Sequence, residues 1–364
     1  MTRIRQWSTL AVCALFLFGL PLWHLLAPDE EFSKSERRRL EHLPELTLSG
    51  VVDGEYFEEM EDYLLDQFPE RDAFRSVKSL FSFSVLRQKD VGGFYHEDGH
   101  LGKLEAALDE AQFSYGIRKL NEVRETLPES CAVYYAVIPD KNVYLAQPNG
   151  YPHIDYDDML RRLRDGLQDM TEIPLFDLLD ASDYYRTDAH WRQEALEPVV
   201  SRITQAMGVP TPDWSSWQPQ ELYPFQGVYL GQSALPVEPD TLVYLQNDVT
   251  DAAQVSSLET SGGNTVYTPD RFSGMDGYDT FLSGAQALLT VENPLAGTDR
   301  RLILFRDSFG SSLAPLLLDS YREITLVDLR YLSSSLLGDY VDFDGADVLF
   351  LYSTSILNSA MLLK

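Results

Sequence analysis

An α/β layer fold built on a mostly parallel sheet is what this sequence predicts, and three short runs of residues are the reason. Arg301–Arg306 (RLILFR), Ile324–Asp328 (ITLVD) and Val348–Ser353 (VLFLYS) are apolar without the polar alternation of a half-exposed strand. Strands covered on both faces read this way. An earlier run of the same kind, 132–138 (AVYYAVI), stops at Pro139 and lies between two stretches of helical character, Ala106–Thr126 and Asp157–Met170. Buried strands alternating with helices pack as layers around a parallel sheet. At 364 residues the chain has room for one large domain or two modest ones, and its 44% hydrophobic and 12% aromatic content supplies the surface a core needs.

The first element is Trp7–Ala27, which contains no Asp, Glu, Lys or Arg and matches the about 20 apolar residues that cross a bilayer. Arg3 and Arg5 precede it, and Asp29, Glu30 and Glu31 follow. The positive-inside bias then predicts a cytoplasmic N-terminus, a transmembrane segment within 1–27, and an extracytoplasmic remainder. Leu25 and Ala27 make a poor small-residue cleavage site, so a retained signal-anchor is expected in preference to a cleaved signal peptide. Net charge narrows the partners. With 29 Lys+Arg against 57 Asp+Glu the formal charge is −28, which repels phosphate backbones and argues against nucleic acid. Cys13 sits in the apolar segment and Cys131 is alone outside it, so no disulfide is expected.

Residues 28–90 read as a helical stalk or lead-in region. Tyr56, Phe57, Met60, Tyr63, Leu64 and Phe68 recur at intervals of three and four, as one helix face requires, and Pro69 ends or bends the helix. From 91 to 364 runs the α/β domain. Within it, about 217–299 scatters Gly, Pro, Asp and Ser among short apolar pieces and reads as loops and an inserted cap.

Three strings bear on chemistry. His96-Glu97-Asp98-Gly99-His100 spells H-E-x-x-H, but zinc chemistry needs both imidazoles on one face of a continuous helix, and Asp98-Gly99 is a turn pair. A hairpin tip is expected there and no metal site. Asp188-Ala189-His190, between Tyr184-Tyr185 and Trp191, places an acid beside an imidazole, which is half of a catalytic triad. The other half is Asp307-Ser308-Phe309-Gly310, at the end of a buried strand and before a helical stretch. A serine so placed is exposed above the sheet, near backbone N–H groups able to receive an oxyanion.

These strings carry a family resemblance. YYRTDAHW (184–191), VIPDK (137–141), DGYDTFLSG (276–284), LILFRDSFGSSLAPLL (302–317) and VDLRY (327–331), with DQFPERDAF (66–74) upstream, resemble the DHHW family. That family is similar in turn to the SGNH-hydrolase-like proteins that O-acetylate alginate outside the bacterial membrane. The resemblance implies a flavodoxin-like three-layer α/β/α (SGNH-hydrolase-like) fold, with Ser308 as nucleophile, His190 as general base and Asp188 as its orienting carboxylate. It departs from the family at Ala189, where the name motif has His, and at Arg306, where the SGNH pattern has Gly. Arg306 can crowd the turn or offer a cation to an acyl or sugar oxygen. Gly227 and Gly284 are candidates for the oxyanion hole, and Arg330 and Lys141, near strand ends, are candidates to face the same cleft. The implied activity is extracytoplasmic O-acetylation of a cell-surface polysaccharide through an acyl-Ser308, without an organic cofactor. A multi-pass membrane O-acyltransferase would deliver the acyl group. A carbohydrate esterase using the same triad, and a non-catalytic glycan-binding or assembly protein with a degenerate triad, remain open at this point.

Overall fold

The structure is a computed structural model that describes residues 2–259 and 265–364; residues 260–264, within the stretch read as a cap, lie outside it. The chain forms two compact units. One comprises Met1–Val91 and Leu230–Pro236, the other Gly92–Tyr229 and Val237–Lys364.

The first unit begins with α1 (Arg3–Leu26), 24 residues long with an 18-residue window of mean hydropathy 2.0, which makes it long and apolar enough to cross a membrane. Three helices follow: α2 (Leu48–Asp53), α3 (Glu55–Asp66) and α4 (Arg71–Ser84). Thr47 caps α2 by accepting the Gly50 N–H, and Gly54, at φ +89°, makes the turn between α2 and α3. Polar ties hold this unit. The Arg38 fork meets both oxygens of Asp66 at 2.7 and 2.5 Å, which holds that carboxyl below its usual range, and Arg71 pairs with Glu36. The apolar stripe expected along α3 is only partly covered: Phe57 is 60% and Leu64 46% exposed, Tyr56, Met60, Tyr63 and Phe68 are half-buried, and the buried residue of α3 is Asp66.

In the second unit the chain runs through α5 (Glu110–Thr126), β1 (Val133–Ile138), α6 (Tyr156–Gly166), β2 (Thr171–Glu172), α7 (Glu197–Met207), β3 (Gln254–Ser257) and β4 (Leu288–Glu292). It continues through β5 (Arg301–Arg306), α8 (Phe309–Leu313), β6 (Glu323–Val327) and β7 (Asp347–Ser353). These seven strands form one sheet in the order β2-β1-β7-β5-β6-β4-β3. The five strands from β2 to β6 are parallel, and β4 and β3 close one side antiparallel. The stretch 217–299 therefore supplies two strands of the main sheet, in addition to a separate two-stranded ribbon, Gln218–Phe225 with Asp240–Gln246.

Strand alternation sorts side chains into two cores. Leu302, Leu304, Leu349 and Leu351 pack with Val199, Ile203 and Leu313 on one face; Ile303, Phe305, Val348 and Phe350 pack with Phe113, Val123 and Met159 on the other. The result is helix, sheet, helix, because continuous apolar strands must be covered twice.

The crossing from β5 into α8 is fixed by Asp307. Its buried carboxylate accepts the Phe309 N–H at 3.0 Å and, from β7, the Ser353 N–H at 2.8 Å. Replacing it by Ala strands two buried donors, so Asp307→Ala should lower unfolding free energy by about 2–4 kcal/mol in urea titrations. An unchanged midpoint would contradict this role.

Candidate active site

Ser308 lies between β5 and α8 with φ −61° and ψ −26°. Its Oγ is 2.7 Å from His190 Nε2, and His190 Nδ1 is 2.6 Å from Asp188 Oδ1. The structure thus brings together three side chains from segments 118 residues apart. Asp188 is fully buried and the His190 side chain is 12% exposed.

Each member of the array is held from outside. Bridged residues Tyr184 and Trp191 close a tight turn around Asp188 and His190, helped by the Tyr185 N–H donating to the His190 carbonyl at 3.1 Å. Asp188 Oδ1 also accepts the His190 N–H at 3.1 Å, and Oδ2 accepts the Val228 N–H at 2.7 Å. The imidazole stacks on Tyr278 at 3.8 Å between ring centroids, with the planes 11° apart, and meets Phe309 at 4.8 Å. Tyr278 is fixed in turn. Its hydroxyl donates to Ser312 Oγ at 2.8 Å, which also accepts the Trp191 indole N–H at 2.9 Å. Ala189 contributes to none of these contacts, so its departure from the family motif leaves the array intact.

The remaining candidates are placed differently from one another. Gly227 spends its N–H on Thr187 Oγ1 at 3.1 Å, so it is no free oxyanion donor. A Cβ there would stand 2.3 Å from the Thr187 carbonyl oxygen; glycine is needed for the approach that lets the next residue, Val228, reach Asp188. Gly284, at φ +89°, gives its N–H to the Phe281 carbonyl at 3.1 Å and forms a turn against Asp279. Lys141 is 3% exposed and faces no open cleft. Its ammonium donates to the carbonyls of Leu101 at 2.6 Å and Tyr185 at 2.9 Å, and burial brings its pKa down to about 7. Arg306 is likewise interior, with no solvent exposure and Nη1 3.6 Å from Asp328, and burial lowers its pKa. It does not crowd the turn because residue 310 is glycine: a Cβ there would meet the Arg306 Cβ at 2.6 Å. Arg330 is gripped by both oxygens of Asp328, at 2.9 and 2.6 Å, and keeps 18% of its side chain exposed. Of the five predicted accessory residues, three cations and two glycines, Arg330 retains the position of a partly open cation. As a further donor, the Ser308 amide N–H meets no acceptor among the described residues.

The H-E-x-x-H string folds as a hairpin, with Asp98 at φ 50° and Gly99 at φ 82° forming its tip and Glu97 opposite His100. Neighbouring strand residues face opposite sides, so His96 and His100 cannot share a metal. Among the described residues no group of three or more His, Cys, Asp or Glu could hold one.

Sequence reasoning missed the roles of Tyr278, Val228, Ser312 and Gly310. Tyr278 lies within 276–284, and Gly310 and Ser312 within 302–317, both strings that carried the resemblance; nothing local marks Val228.

The fold is the three-layer α/β/α, SGNH-hydrolase-like arrangement, and solved structures share it. A DHHW family protein from Eubacterium siraeum is 23% identical, with a TM-score of 0.63 over 75% of this chain and 95% of that one. Bacillus cereus PatB1 is 17% identical, with a TM-score of 0.60 over 74% of this chain and 98% of that one; its form with a sulfonyl adduct gives 0.59. No protein-family model matches the chain, and no curated protein does. The fold that the family resemblance implied is the fold observed.

His100 supplies a pH test of this region's packing. Burial pushes its pKa down to about 4, and its Nδ1 has no partner among the described residues. The unfolded chain takes up this proton near pH 6.5 and the folded chain only near 4, so stability is lost as pH falls through that window. Compared with His100→Gln, the parent should lose up to about 3 kcal/mol more between pH 6.5 and 4 by chemical denaturation; parallel pH curves would contradict the burial of this imidazole.

Proposed function

We propose that the chain is a serine-dependent O-acetyltransferase of a cell-surface glycan. One observation carries the proposal: the unbroken hydrogen-bond line from Ser308 Oγ through His190 to a buried Asp188. A serine hydroxyl is a weak nucleophile until a base takes its proton. Here His190 Nε2 removes that proton as Oγ attacks the acyl carbonyl, and Asp188 holds the ring in the tautomer that leaves Nε2 able to accept. His190 returns the proton to the leaving group, so that an acyl-Ser308 results. The same imidazole then deprotonates a glycan hydroxyl, which takes the acyl group and restores the serine.

The Ser308 N–H supplies one oxyanion donor in this scheme, a contact of the kind whose removal costs about 10²–10³ in rate. Arg330 is assigned to substrate contact; Gly227 and Lys141 act from behind the site by shaping the segment that carries Asp188. PatB1, which shares the fold, has been obtained with a sulfonyl adduct, and sulfonyl electrophiles are suitable reagents for the nucleophile assigned here. The apolar α1, with arginines in its first turn and carboxylates after it, suits a tether that keeps the enzyme outside the membrane, where a multi-pass O-acyltransferase can pass it acyl groups.

The test uses p-nitrophenyl acetate as donor and soluble oligosaccharides as acceptors. Ser308→Ala and His190→Ala should each lower acetyl transfer by about 10⁴-fold or more with nearly unchanged melting. Full activity in either variant would overturn the assignment, and acetate release without sugar acetylation would reassign the same triad to an esterase.

A further inference from the structure

Helix α4 is built inside out for a soluble protein. Its buried residues are Ser79 and Ser82. Ser79 Oγ donates to the Ser233 carbonyl at 2.7 Å, and Arg75 donates to the carbonyls of Gly231 at 3.0 Å and Gln232 at 2.9 Å. Its apolar side faces outward: Phe74 is 43% exposed, Val77 64%, Phe81 52%, and Val85, just beyond the helix, 61%. These positions are three and four apart, so they form one continuous stripe. Polar contacts within the unit thus hold the helix in an orientation that leaves its apolar surface uncovered among the described residues. Contiguous exposed apolar surface marks an interaction face.

Two observations identify what covers it. The stripe is continuous with the end of α1. His24, in the last turn of that helix, packs against Phe68 at 6.3 Å between ring centroids, and Phe68 packs against Phe74 at 5.3 Å. A chain of three rings therefore joins the point where a membrane-crossing helix ends to the start of the exposed stripe. The second observation is charge. In a protein of net charge −28, residues 71–89 hold five Arg and Lys against one acid; Arg71 and Arg75 are engaged by Glu36 within the unit, while Lys78 and Arg87 are exposed. An apolar stripe flanked by cations is the composition of a helix that lies in a bilayer interface and attracts anionic headgroups.

We propose that α4 is a membrane-surface helix, whose stripe from Phe74 to Val85 sits among the lipid headgroups where α1 leaves the bilayer. The bilayer holds the first unit in two places, by α1 across it and by α4 along its surface. This inference rests on α1 residing in a membrane and is independent of the acyl-transfer reading.

The experiment uses the full chain carrying Cys13→Ser, reconstituted in phosphatidylcholine–phosphatidylglycerol vesicles. Nitroxide labels are placed at Val77→Cys, Phe81→Cys and, as an aqueous reference on α3, Glu61→Cys. Cys131 is buried and should not take the label. Power saturation with oxygen, which concentrates in lipid, and a nickel chelate, which stays in water, reads the surroundings of each label. A higher oxygen-to-nickel ratio at 77 and 81 than at 61 is expected. Equal ratios at all three sites would overturn the proposal. Exclusion of both reagents at 77 and 81 would also overturn it, since that result means a protein surface, from a second copy or another membrane protein, covers the stripe. No readout depends on catalysis, so failure here leaves the triad assignment standing.

Discussion

A buried carboxylate organises this site. Asp188 has no solvent exposure, and an anion taken out of water must recover its lost hydration from hydrogen bonds. It does so from two sources: the backbone and ring of His190, and the Val228 N–H from a segment 40 residues further on. Satisfying Asp188 therefore orients the imidazole, and the oriented imidazole meets Ser308. The supports behind it obey the same logic. Asp240 accepts the N–H groups of Arg186 at 3.0 Å and Thr187 at 2.8 Å, and the Thr187 hydroxyl passes the connection to Gly227. Removing a partner from such a chain costs more than one bond, because each polar group it strands is buried.

The sheet places the second half. In an open parallel sheet, loops beyond the carboxyl ends of the strands gather chemically active groups. Ser308 follows β5, Lys141 follows β1, Asp328 and Arg330 follow β6, and Ser353 ends β7. The cations at these ends are mostly spent internally, on backbone carbonyls by Lys141 and on Asp328 by Arg306 and Arg330. Beside the Ser308 hydroxyl stands the His190 imidazole, with Tyr278 and Phe309 packed against it.

Much of this was legible in the sequence because its signals are local. The buried strands announce themselves by uninterrupted apolar runs, and Asp188-x-His190 and Asp307-Ser308 are each short enough to read directly. The misplaced residues share a different physical feature. Whether a cation at a strand end turns inward, as Lys141 and Arg306 do, depends on carbonyls and carboxylates contributed by distant segments. Gly227 and Gly284 were expected as oxyanion-hole candidates, but the N–H of each is consumed by a partner that spacing cannot reveal. The strands β3 and β4 were read as part of a cap because short antiparallel strands amid Gly, Pro and Ser lack a continuous apolar run. In the first unit, periodicity identified α3 correctly but carries no sign: it shows that an apolar face exists without saying whether protein covers it, and Phe57 and Leu64 of that face are exposed.

If Asp188 and His190 make Ser308 a nucleophile, its covalent intermediate can be trapped. Full-length protein treated with p-nitrophenyl acetate and quenched in acid should gain one acetyl group by intact mass, with peptide mapping placing it on Ser308. The His190→Ala protein should gain none under the same conditions. Acetyl distributed over surface lysines in both proteins, with Ser308 unmodified, would contradict the account.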